Sequence, residues 1–364
     1  MRFLPDGLGL YIHIPFCIKK CKYCDFYSAC FCESVYKNFF TALVREIETW
    51  GKRINRTVDT VYIGGGTPSV MGADIIPLIN AIRENFSLLP GAEITTECNP
   101  SLDVSFLESA KSAGVNRLSF GVQSGDDARL KTLGRTHTAA DAAFAVNAAR
   151  KAGFENISLD IMLATPESTV KSAKADANFI CSLSPEHISA YILKIEPNTA
   201  FYAIKDKLNL PDDDGAARQY LAVCELLESR GYSHYEISNF ARAGKESRHN
   251  LKYWRCEEYL GIGPSAHSFI SGERFYYPKD LKAFIGKAEP VPDGTGGGKE
   301  EKLMLSLRIS DGVPTNRFSG EALKKARRFE TAGLIKISDG RISLTDKGML
   351  VSNSVITELL YEDL

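Results

Sequence analysis

The chain has 364 residues, 44% hydrophobic and 24% charged, with a formal net charge of −1, a composition ordinary for a soluble globular protein of about two domains. That charge gives no general field for nucleic acid or anionic lipid, no apolar run is long enough for a membrane span, and the first residues lack a secretory signal's apolar stretch. A cytosolic location is expected, where thiols stay reduced and the nine cysteines read as metal ligands, redox groups or core rather than disulfides. Peripheral association with a membrane through a partner would need no span.

In chain order, strand-like runs at 9–14, 60–65, 93–98, 116–121, 156–162 and 187–193 alternate with helical patterns. The first helix starts near Glu33, where Val35, Phe39, Leu43, Ile47 and Trp50 make one apolar stripe and Glu33 and Ser34 supply acidic and capping character. Further helices read near 73–86, 103–113, 126–132, 138–152, 168–182 and 215–230. Six strand–helix repeats predict an α/β fold, a partial (β/α)6 barrel over residues 1–230, with chemistry at the carboxyl ends of the strands. Residues 231–292, rich in aromatics, glycine and histidine, read as a cap or extension over the barrel mouth. DGTGGGK at 293–299 reads as a linker, and 299–364 as a small helical, winged-helix-like domain whose wing turns at Asp339-Gly340. Its alternating charges favour a structural role over nucleic-acid binding.

The run HIPFCIKKCKYCDFYSACFC begins at His13 and holds five cysteines. Cys17-x3-Cys21-x2-Cys24 follows the first strand, so three thiols can converge from one loop. Thiolates suit zinc or an iron–sulfur cluster. Structural zinc closes with four ligands, commonly as two pairs, whereas three thiols on a cubane leave one iron open to a small molecule. Cys30 and Cys32 read as small buried residues at the helix start rather than as a fourth ligand, and Cys98, Cys181, Cys224 and Cys256 as core. Later strand ends carry Gly64-Gly65-Gly66-Thr67-Pro68, Glu97, Gln123 and Asp160, with Arg135 following the fourth. Glycines admit close backbone approach, an acid suits ligand hydroxyls, and Gln and Arg suit a ligand carboxylate. GIGPSA at 261–266 matches a dinucleotide pattern only by chance, since Pro264 interrupts it and the βαβ context is missing.

C-x3-C-x2-C preceded by YIHIPF resembles the signature of the radical S-adenosylmethionine (SAM) superfamily. The superfamily implies a [4Fe–4S] cluster whose open iron chelates SAM and whose electron yields a 5′-deoxyadenosyl radical. With VYIGGGTPS, TTECNP, RLSFGVQS, LGRTH, HYEISNFA, HNLKYW and YLGIGPSAHS, the chain from about residue 9 to 270 resembles the oxygen-independent coproporphyrinogen III oxidase family. The resemblance implies that Cys17, Cys21 and Cys24 hold the cluster, and that Tyr11, Gly65, Gly66, Thr67, Glu97, Gln123, Arg135, Asp160 and, more weakly, Tyr23 contact SAM.

Oxidase members carry a longer segment before the first strand and a further cysteine two residues past the third ligand. Here ten residues precede Tyr11, and position 26 is Phe26. That looks like the oxidase-like HemW branch, described as haem chaperones that pass haem to acceptors such as respiratory enzymes. An oxidase that decarboxylates porphyrinogen propionates, and a zinc scaffold, are the alternative readings. His249-Asn250-Leu251-Lys252-Tyr253-Trp254 carries the HNxxYW phrase of the branch, which implies haem contact by His249, Asn250, Tyr253 and Trp254. His13, His234 and His267 are other candidate ligands, and a core histidine among aromatics is the competing reading of His249. One departure stands out. IMLATPEST occupies the place of a Gly-Leu-Pro-Gly-Gln-Thr type phrase, with Ala164 and Glu167 in place of its glycines.

Overall fold

A computed structural model describes residues 7–360. Six strands, β1 (Leu8–Ile14), β2 (Thr57–Gly65), β3 (Ser87–Cys98), β4 (Arg117–Gln123), β5 (Ile157–Leu163) and β6 (His187–Ile192), pair in parallel in that order. Helices cross between them: α1 (Glu33–Arg53), α2 (Ile75–Asn85), α3 (Val104–Ala113), α4 (Asp127–Leu133), α5 (Ala139–Lys151) and α6 (Val170–Ser182), with α7 (Asp213–Ser229) after β6.

The two-residue period of the strands sorts the chemistry. Leu8, Leu10, Ile12 and Ile14 of β1 are fully buried, and with Ile63, Leu118, Leu159 and Ile188 they pack in one core with Phe39, Leu43 and Ile47 of α1 and Leu78, Ile79 and Ile82 of α2. The intervening positions turn Tyr62, Glu97, Arg117, Ser119, Ser158, Asp160, His187, Ser189 and Tyr191 onto the opposite face, where they line one cavity. Helix starts are capped as their residue types require. Asp103, Asp126 and Asp212 accept backbone N–H groups, and Thr138 with Asp141 makes a capping box.

Three expectations change. Helix α1 begins at Glu33 with Cys32 at its N-cap and no side-chain cap. Its phase puts Tyr36 in the core and leaves Val35 37% exposed, because the stripe follows the packing of Phe16 against Phe31, Tyr36 and Phe39. Residues 231–292 extend the barrel sheet more than they roof its mouth, with Asn250 lining the cavity. They build both edges of one twelve-stranded sheet: Ser233–Glu236 and Asn239–Ala241 beyond β6, and Tyr259–Ile262, His267–Ile270 and Glu273–Tyr276 beyond β1. Strands of three or four residues suffice there, since β1 and β6 each offer an unpaired row of backbone groups. The expected linker is half strand, as Val291–Thr295 adds the outermost rung.

Beyond it, Lys299–Ser306, Gly320–Thr331 and Ser352–Leu360 are helical, and Leu303, Leu307, Ala326, Ile335, Ile342, Val355 and Ile356 form a second core. The wing is as read: Ile335–Ser338 pairs with Arg341–Leu344, and Asp339 and Gly340 turn with φ of 52° and 70°. No helix among the described residues is long and apolar enough to cross a membrane.

The departure after β5 has a backbone consequence. Ala164 and Glu167 adopt φ of 54° and 61°, the left-handed region that costs a non-glycine residue about 1–2 kcal/mol. The loop is pinned there from outside. The buried Gln219 of α7 accepts from the Ala164 N–H and the Ser168 hydroxyl, and Asn209 bonds both backbone and side chain of Glu167. Glycine recovers that strain but gives back about 0.5–1 kcal/mol of backbone entropy. A164G and E167G are therefore expected to raise stability by only about 0.5–1 kcal/mol each. Q219A, which removes the pin, should lower it by about 1–3 kcal/mol; urea denaturation of the three variants measures both.

Candidate functional site

The cavity, about 430 Å³, opens at the carboxyl ends of the parallel strands and reaches inward to Arg117, Ser158 and His187 near their starts. Its outer wall is the loop after β1. Phe16 and Cys17 pair in parallel with Ala29 and Cys30, and the Phe16 ring is wholly buried. The loop base is thereby fixed on the core, and Cys17, Cys21 and Cys24 line the cavity together. The glycine run meets this loop from the other side. Gly66 N–H donates to Ile14 O at 2.8 Å and Thr67 N–H to Phe16 O at 2.7 Å. A Cβ on Gly66 would stand 2.6 Å from the Phe16 carbonyl oxygen, so only glycine permits the approach.

Arg135, Thr67 and Tyr23 reach the thiols. Arg135 donates to Cys21 Sγ at 3.2 Å and Thr67 to Cys17 Sγ at 3.4 Å. Arg135 is held by Gly121 O (2.6 Å) and Asn99 Oδ1 (3.2 Å). Burial raises the Cys17 thiol and pushes Cys24 up to about 11. The Cys17 and Cys24 thiols are thus held in the neutral form, and a metal has to displace their protons to bind.

On the inner wall Glu97 accepts from Tyr62 OH (2.9 Å) and Gly65 N–H (3.0 Å). Burial, reinforced by the charge of Asp160, pushes its carboxyl up to about 7. Burial likewise pushes Asp160 up to about 6, against the opposing pull of Ser189, Arg117 and Arg135. Gln123 sits at φ 73°, its Oε1 buried without a partner, as is Arg135 Nε.

Of the sequence-predicted residues, Cys17, Cys21, Cys24, Tyr23, Gly65, Gly66, Thr67, Glu97, Gln123, Arg135, Asp160 and Asn250 line the cavity. Tyr11 stands behind it, bonded to His13 Nδ1 at 2.9 Å and stacked on Tyr62. The HNxxYW residues do not gather at one surface. They lie on α8 (Arg248–Trp254), which packs against the lower halves of β2 and β3. His249 is fully buried, its Nδ1 2.9 Å from Thr60 Oγ1 and its Nε2 2.8 Å from Tyr253 OH. Both ring nitrogens are taken, and burial lowers the ring to about 3. His249 thus stands as a core histidine stacked on Tyr62, the competing reading of that residue. Trp254 packs on the other side, with Tyr235, Leu251 and Ile309. Helical spacing sends these side chains to different neighbours.

Arg117, Ser119, Ser158, His187 and Tyr191 also line the cavity and were not singled out from the sequence. Their signal was present as polar residues two apart with Gly121 and Gln123, Asp160, and Ser189 on their strands. Cys30 and Cys32, expected to be buried, are exposed and stand outside the cavity lining.

Residues 11–180 match the model of the radical SAM superfamily, and residues 300–351 that of the HemN C-terminal domain. The chain is 38% identical to the heme chaperone HemW of Bacillus subtilis, over 97% of this chain and 99% of that one. It is 39% identical to the heme chaperone HemW of Haemophilus influenzae, over 98% of each. The chain belongs to the HemW family. In fold it matches the coproporphyrinogen III oxidase HemN of Escherichia coli, a radical SAM enzyme, with a TM-score of 0.82 at 23% identity over 98% of this chain and 91% of that one.

The radical SAM membership of the HemW family implies a [4Fe–4S] cluster and SAM, and the cavity suits both. Three thiols converge in the cavity, Arg135 beside Cys21 with its Nε unpartnered, and the unpartnered Gln123 Oε1 shares the lining with the Glu97 and Asp160 carboxyls. Such groups match the amino, carboxylate and hydroxyl groups of a nucleoside-linked amino acid.

Proposed function

We propose that the chain is a haem chaperone that binds a [4Fe–4S] cluster, SAM and haem and delivers haem to acceptor proteins, respiratory enzymes among them. The observation that carries this reading is the near full-length likeness to relatives named heme chaperone HemW. Phe26 agrees with it. It stands 65% exposed at the cavity rim, where oxidase members carry a further cysteine.

In this reading Cys17, Cys21 and Cys24 hold the cluster, and the bound cofactors supply reductive cleavage of SAM. Arg135 and Thr67 place hydrogen bonds on the ligand sulfurs, which raises the potential of a cluster held there. Glu97 accepts from ligand hydroxyls, and Gln123 and Asp160 supply further polar contacts to SAM. His249 and Tyr253 position α8 beneath the cavity, and from α8 Asn250 reaches into it.

The haem ligand is read by elimination. The chain has six histidines, of which His13, His137, His187, His234 and His249 are buried. The His267 side chain is 54% exposed and its ring stacks on Tyr276 at 5.2 Å between centroids. An imidazole that meets haem at the surface falls to His267. H267A is expected to weaken haem binding at least 10-fold and shift the Soret band. H249A should keep the parent's Soret band and chiefly lower stability, since it leaves Thr60 and Tyr253 unpaired. Haem titration of both variants by absorbance tests the assignment; loss of haem from H249A, folded by circular dichroism, would return the ligand to the HNxxYW phrase.

A further inference from the structure

Away from the cavity, Cys224 on α7, His234 on the edge strand Ser233–Glu236 and Asp346 at the start of the helix Asp346–Leu350 converge. A thiol sulfur, an imidazole nitrogen and a carboxylate oxygen lie within 4.8 Å of one another. Cys224 and His234 are buried, and the His234 ring lies flat on Phe240 at 4.1 Å. The Asp346 side chain is 32% exposed.

Tyr220 OH lies 3.0 Å from the Ile237 carbonyl oxygen and 3.2 Å from His234 Nε2. With Nε2 engaged by Tyr220, Nδ1 is the ring nitrogen that faces Asp346, 2.7 Å from its Oδ1. Cys224, also hydrogen-bonded to Tyr220, adds a soft donor, and Glu228 adds negative field, its own carboxyl raised by burial and by the charge of Asp346. A proton between Nδ1 and Asp346 joins only those two groups, whereas a divalent metal engages all three.

We propose that Cys224, His234 and Asp346 form a zinc-class metal site, completed by water, that fastens the C-terminal region to the barrel. Sulfur, nitrogen and oxygen are the usual zinc donors, and bonds of about 2.0–2.3 Å separate tetrahedral ligands by roughly 3.3–3.7 Å. Asp346, at the solvent edge, has room to swing back from His234, and the widest pair of the trio, at most 4.8 Å apart, has to close by about 1 Å. The Nε2–H bond to Tyr220 is the kind of outer contact that fixes the tautomer of a ligating histidine.

The test uses the full, cluster-loaded chain with Cys30 and Cys32 replaced by serine, so that the exposed pair does not compete. Cobalt(II) serves as the spectroscopic substitute for zinc. The expected result is one cobalt per chain with a thiolate-to-cobalt charge-transfer band, displaced by zinc, and absent in C224S while iron content is unchanged. D346N should weaken cobalt binding by 10-fold or more. A parent chain that takes up no metal beyond the cluster iron, or whose cobalt spectrum lacks a thiolate band, overturns the proposal without recourse to any variant at the site. So does a spectrum identical in C224S; in each of these cases a proton holds His234 to Asp346.

Discussion

Serine at positions 17, 21 and 24 together is expected to take reconstituted iron from about four per chain to near zero, while C30S/C32S keeps it. The three thiols share one cavity wall and meet there because Phe16 is anchored in the core and Gly66 passes close behind it. Cys30 is paired to Cys17 through backbone alone, and Cys32 caps α1 with no side-chain cap bond, its thiol 3.5 Å from Ser34 Oγ. Neither sulfur lines the cavity. Iron and sulfide analysis after anaerobic reconstitution reads the outcome directly. Iron retained by the triple variant would remove the cluster assignment, and iron lost from C30S/C32S would make the exposed pair part of it.

Glu97→Gln should move function and stability in opposite directions. A carboxylate accepting from ligand hydroxyls contributes about 1.5–3 kcal/mol, so SAM affinity is expected to fall roughly 10- to 100-fold. The same carboxyl is an electrostatic burden on the free chain. Its folded value, raised to about 7 from an ordinary 4.5, means that the folded state binds the proton more tightly than the unfolded state. The stability this group contributes is therefore full below about pH 4.5 and is lost as pH rises through 7. Glutamine is always neutral, so E97Q should be more stable than the parent by about 1–3 kcal/mol at pH 8. The difference should shrink to about a quarter of that near pH 5. Asp160, raised to about 6, adds a slope of the same sign at slightly lower pH. Urea midpoints at pH 5 and 8, beside SAM binding by calorimetry, separate the two effects. A parent chain at least as stable as E97Q at pH 8 would contradict the electrostatic account.

Much of this site was legible because strand alternation is a strict period. Once 93–98 and 156–162 read as strands, Glu97 and Asp160 fell at strand ends facing one mouth, while the contact of the glycines with the cysteine loop came only from the packed structure. The same period would have exposed Arg117, two residues before Ser119 and on the face of Gly121. The HNxxYW residues were a different matter. Their helix places His249, Asn250 and Trp254 at different angles, and only the packed structure shows that Thr60 and Tyr253 occupy both imidazole nitrogens. The sheet edges were hidden for another reason. Runs such as His267–Ile270 and Asn239–Ala241 are too short to carry a periodic signal, and they become strands because β1 and β6 offer unpaired backbone. Cys30 and Cys32 were misplaced since small thiols are usually buried, and here the loop turns both outward.

The central claim is the proposal that this radical SAM site serves haem handling and not porphyrinogen oxidation, and one anaerobic assay tests it most directly. The cluster-loaded chain would receive SAM, a strong reductant and coproporphyrinogen III, and the porphyrinogens would be resolved by chromatography. The account predicts unchanged coproporphyrinogen III from a chain that still binds haem. Decarboxylated product formed with SAM consumption would contradict it and make the chain an oxidase despite Phe26.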